Sequence, residues 1–65
     1  MEESELLQYR GKNIRVTCVD GQIVCGFCCI VTQAADNDPK VASIVIEDGN
    51  LIEITLPEIQ FIQKM

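Results

Sequence analysis

The sequence predicts a small all-β domain: five antiparallel strands behind a short N-terminal helix. Three observations carry that reading. Isoleucine and valine together number 15, against four leucines and three alanines, and β-branched side chains suit a pleated surface while losing rotamer freedom in helices. Apolar and polar residues alternate through residues 12–19 and 51–56, the period-two pattern of a half-buried strand. Asp20-Gly21 and Asp48-Gly49-Asn50 supply turn chemistry between such runs.

The elements follow in order. In the first ten residues Ser4 can cap a helix, Glu2, Glu3 and Glu5 sit near its positive end, and Arg10 sits near its negative end. Gly11 suits the left-handed position past the last turn. A helix of about two turns persists only when docked; Leu6, Leu7 and Tyr9 or Arg10 would face the body. Residues 12–19 form a strand with Ile14, Val16 and Cys18 on one side and Asn13, Arg15 and Thr17 on the other. The hairpin at Asp20-Gly21 leads into a long strand over 22–32, with Gly26 as its bend. Simple alternation puts Ile23, Cys25, Phe27, Cys29 and Val31 on one face of it and Val24, Cys28 and Ile30 on the other. Residues 33–42 contain Asp36, Asn37, Asp38 and Pro39 and read as a loop. Strands over 43–47 and 51–56 flank the next turn, with Ile52, Ile54 and Leu56 on one face. Pro57-Glu58 breaks the chain before a last strand over 59–63. Such a set reads as a small closed or nearly closed barrel, which limits exposed edges.

Size and charge exclude several functions. A chain of 65 residues makes one domain, residues 1–65, and leaves no room for a multi-domain enzyme or a large enclosed cofactor site. The net charge is −5, and the bases are Arg10, Lys12, Arg15, Lys40 and Lys64. That is too few for generic nucleic-acid binding or a polybasic membrane anchor, although a local patch stays open. The acidic start is the reverse of a signal peptide, and the longest uncharged run, 21–35, is too short to span a bilayer. The expectation is a cytoplasmic protein with no membrane role, whose Cys18, Cys25, Cys28 and Cys29 stay reduced.

Gly11-Lys12-x-Ile14-x-Val16-x-Cys18-x-Asp20-Gly21, continued by Val24, Gly26, Cys28 and Val31, resembles the first motif of the Sm/Lsm family of Sm-like ribonucleoproteins. The order of helix and strands is similar too, as are Ile59 and Ile62 in the last strand; the likeness covers residues 6–63. The resemblance implies an SH3-like barrel whose fourth and fifth strands pair between subunits to close a ring. It also implies single-stranded, often uridine-rich RNA as ligand, held by two loops. At those positions this chain departs from the pattern. Thr32 stands where the family has aspartate, Asp36 or Asn37 where it has asparagine, and Thr55-Leu56 where it has Arg-Gly. The usual uridine pocket is therefore not expected. The remaining RNA candidates are Arg10, Lys12, Arg15, Thr32, Asn37 and Thr55, and the interface candidates are Leu51, Ile59 and Phe61.

Other readings of the same residues are weaker. Cys25-Gly26-Phe27-Cys28 is a C-x-x-C, but residues three apart on a strand point to opposite faces, and a zinc knuckle needs two such pairs on turns. Core or interface packing suits these cysteines better. Asp36-Asn37-Asp38 lacks the spacing of a calcium loop. No histidine is present, so no Ser-His or Cys-His pair exists, and neither catalysis nor a cofactor is expected. Arg10, Lys12 and Arg15 read either as a phosphate-contacting patch or as charge balance for Glu2, Glu3 and Glu5. The doubly apolar second strand, with Leu51 and Phe61, independently points to self-association; the alternative is that the bent strand contributes to both halves of a tight barrel, with Leu6, Leu7 and Tyr9 covering the rest. The expected function is thus a self-assembling, RNA-associated module. The alternative is an SH3-like protein-interaction module without a nucleic-acid role.

Overall fold

The computed structural model describes residues 2–36 and 40–65. Helix α1 (Glu3–Leu6) runs directly into a 3-10 turn at Leu7–Tyr9. Its cap is Glu2, not Ser4. Glu2 and Glu5, three residues apart, form a reciprocal capping box, with Glu2 N donating to Glu5 Oε1 over 2.8 Å. A cap at Ser4 would face Leu7, which has no acceptor to return the bond. Leu6 and Tyr9 are buried while Leu7 is exposed, a correction to the expected helix face; the 3-10 turn repeats every three residues and aligns the first two.

Five antiparallel strands follow: β1 (Asn13–Cys18), β2 (Ile23–Thr32), β3 (Ser43–Glu47), β4 (Leu51–Thr55) and β5 (Ile59–Lys64). They form one sheet in the order β4-β3-β2-β1-β5. The fold is mainly β, as the sequence predicts, but the sheet is open. Strands β4 and β5 are its two edges and do not pair with each other. Gly21 and Gly49 take φ of +93° and +76° in the two hairpin turns, the region a side chain disfavours.

Strand β2 serves two halves of the sheet. Its first half pairs with β1, from Thr17↔Ile23 to Asn13↔Phe27, and its second with β3, from Phe27↔Glu47 to Thr32↔Ser43. A register shift between Cys28 and Ile30 leaves Cys29 as the extra residue of a bulge. Beyond it the faces exchange. Cys28 is buried and Val31 packs on the core, while Ile30 turns outward. The sequence alternation assigned those last two the other way round. Leu6, Ile14, Val16, Cys28, Ile44 and Ile46 form the fully buried centre. Among the described residues no helix is long and apolar enough to cross a membrane.

Candidate functional site

Three strands end in a row of hydroxyls. Thr32 on β2 lies opposite Ser43 on β3, which lies opposite Thr55 on β4. The row sits where the 33–42 segment and the β4–β5 connection leave the sheet. The structure thus brings together Thr32 and Thr55, two of the candidate RNA contacts; Asn37, a third, lies outside the described residues.

Local structure already uses two of these hydroxyls, those of Thr55 and Ser43. Thr55 is the N-cap of a 3-10 turn at Leu56–Glu58, and both its hydroxyl and its N–H donate to Glu58 Oε1. Ser43 Oγ donates to Glu53 Oε2 over 3.0 Å. The row therefore carries the carboxylates of Glu53 and Glu58. A phosphate brought there meets like charge.

The bases gather elsewhere. Arg10 and Lys12 flank Gly11, whose N–H donates to Cys28 O. Arg15 lies opposite Cys25, separated from Thr32 by roughly 20 Å of extended strand at about 3.3 Å per residue. Lys64 lies opposite Ile14, with Nζ 5.9 Å from the centroid of the Tyr9 ring, a cation–π distance. Four of the five bases thus lie in or next to the first half of β1, with Arg15 on the sheet face opposite that of Lys64, while Glu2 and Glu5 are occupied in capping α1. Sequence reasoning missed Lys64, because only the β1–β5 pairing brings the chain end back to residue 14.

Of the interface candidates, Leu51 and Phe61 lie exposed on the two edge strands, at 67% and 44%. Ile59 does not join them. A register shift between Thr17 and Cys18 sets it opposite Cys18, in the core.

All four cysteines are free thiols. Burial pushes the Cys18 thiol above its ordinary pKa, and the Asp20 and Glu58 carboxylates push it the same way. Burial, then the neighbouring Cys29, raises Cys28 likewise. A cavity of about 110 Å³ opens beside Cys18, lined by Val19, Asp20, Gln22 and Glu58. Among the described residues no three cysteines or carboxylates converge closely enough to hold a metal ion.

No protein-family model, curated protein or solved structure matches this chain.

Proposed function

We propose that this chain is a non-enzymatic Sm-like subunit that self-assembles through its two open sheet edges and binds single-stranded RNA along its basic end. The observation that carries the proposal is the open order β4-β3-β2-β1-β5. Two exposed edges, each with an outward apolar residue (Leu51 on β4, Phe61 on β5), are templates for pairing with another strand. Pairing β4 of one copy with β5 of the next satisfies both edges in every subunit once the assembly closes.

The RNA part rests on Arg10, Lys12 and Arg15. Assembly repeats this patch in each subunit, and phosphate contacts add steeply when several act together. The hydroxyl row is not the phosphate site in this reading, because Glu53 and Glu58 stand in it.

Native mass at physiological salt tests the assembly. A closed particle several times 7.2 kDa is the expected result, and a monomer at all concentrations overturns it. Filter binding with short oligo-U and oligo-A tests the RNA part. Saturable binding that weakens as salt rises is expected. Its absence at low salt leaves a protein-interaction module.

A further inference from the structure

Given that edge-to-edge reading, backbone hydrogen bonds determine what each edge can offer. Opposed residues of an antiparallel pair alternate between exchanging both hydrogen bonds and exchanging none. Leu56 N donates to Ala42 O. Along β4 and into Leu56 the main-chain groups of Ile52, Ile54 and Leu56 therefore turn toward β3, and those of Leu51 and Glu53 turn to the free edge with the carbonyl of Thr55, whose N–H already donates to Glu58 Oε1. Met65 N donates to Asn13 O. Along β5 Phe61, Gln63 and Met65 therefore turn toward β1, and Ile62 and Lys64 turn to the free edge. An antiparallel ladder between copies must join residues of those two edge sets.

Opposed residues also share a face of the sheet. Ile62 and Lys64 lie on the face of Val16 and Ile14, the core side, whereas Glu53 and Thr55 alternate with the core-facing Ile54. The neighbouring copy is consequently inverted. Its Phe61, outward in its own subunit, arrives on the core side of β4, beside Ile52, Ile54 and Leu56.

We infer that Glu53 of one copy pairs with Lys64 of the next and Thr55 with Ile62, which sets Leu56 against Phe61 and Ile52 against Met65. Charge and burial select this register. Glu53 meets the one base on the β5 edge, and Ser43 already holds one of its oxygens in place. Ile52 and Leu56 are only partly buried against the core, and Phe61 and Met65 are exposed; the register covers all four. Ile54, opposite Gln63, is already buried within its own subunit. A two-residue slip sets Glu53 against Ile62 and Leu51 against Lys64, charge against apolar side chain in both cases. Centred pairing of β4 with β4 sets Glu53 against Glu53. The ladder is therefore head-to-tail, with a second copy of this chain as the partner.

Charge reversal tests the register by native mass spectrometry at low salt. Glu53→Lys and Lys64→Glu should each raise the concentration for half-assembly by about tenfold or more, since each 1.4 kcal/mol is a factor of ten. The double variant should recover the wild-type mass. So should an equimolar mixture of the two single variants where the particle holds an even number of copies, since the two then alternate and every junction joins Lys to Glu; that recovery also shows that both are folded. If wild type assembles but the single variants assemble equally well, or neither the double variant nor the mixture recovers, the register is overturned. If wild type itself stays monomeric, the edge-to-edge reading fails first.

Discussion

Gly26 lies directly against the main-chain carbonyl of Glu47, near the turn between β3 and β4. A Cβ at this position would overlap that carbonyl and stand 2.7 Å from Ile46 Cγ2. Gly26 is thus required by close approach, whereas Gly21 and Gly49 are required by their dihedral angles. The approach occurs just before the bulge at Cys29, where β2 passes from β1 to β3.

Gly26→Ala should therefore destabilise the domain by about 1–3 kcal/mol, the usual cost of overpacking. Backbone, which yields little, forms one side of the clash. Urea denaturation measures it. A midpoint equal to wild type would show that β2 and β3 separate freely here.

The bond from Thr55 to Glu58 leads to a second expectation. Glu58 accepts from both the hydroxyl and the N–H of Thr55 and so closes the 3-10 turn that starts β5. Glu58→Ala should cost about 0.5–2 kcal/mol, the range for a lost cap. Thr55→Val, which keeps the shape and loses the hydroxyl, should cost a similar amount. A change confined to RNA binding, with stability intact, would show that Thr55 serves the ligand instead of the turn.

The strands were legible in the sequence where alternation is strict. Ile14, Val16 and Cys18 in β1 and Ile54 in β4 sit on the core face their spacing assigns. The glycine turns were legible because only glycine takes their angles readily. The two bulges were not. An unpaired residue such as Cys29 carries no mark of its own, yet it reverses Ile30 and Val31 beyond it. The openness of the sheet was hidden for a related reason, since five alternating runs satisfy a closed barrel and an open sheet equally. In the candidate site, the row of Thr32, Ser43 and Thr55 depends on register, which is a long-range property. Glu53 carries no mark in the sequence, because its place on an edge strand follows only from the strand order.

Cys28 tests the core. It is fully buried and opposite Ile46. Cys28→Ala removes the sulfur and should cost about 1 kcal/mol, within the usual range for point mutants. Thermal denaturation reads the effect. An unchanged midpoint would mean that the neighbours close the space without loss.

The raised thiols set a pH dependence. Both Cys18 and Cys28 have folded pKa values above the ordinary 9.0, chiefly through burial. Above that value the unfolded chain releases protons that the folded chain retains, so the unfolded state gains. This contribution to stability is fully present below pH 9.0 and falls as pH rises toward the folded values. Denaturation midpoints across that window should decline more steeply for wild type than for the Cys18→Ala, Cys28→Ala double variant. Equal slopes would show that the thiols titrate alike in both states.

Phe61 and Leu51 separate the proposed ladder from general stickiness. Both are exposed apolar residues on edge strands. The register places Phe61 against Leu56 of the neighbouring copy, whereas Leu51 falls outside the stretch of β4 that faces β5 (Ile59–Lys64). Phe61→Asp should therefore disperse the assembly, because it sets a carboxylate on the apolar side of β4, where charge is costly to bury. Leu51→Asp should leave the mass close to wild type. Circular dichroism should be unchanged in both, since neither side chain belongs to the subunit core. Equal loss of mass in the two variants would point to association through exposed apolar surface as a whole. Loss in Leu51→Asp alone would reverse the assignment of the edge.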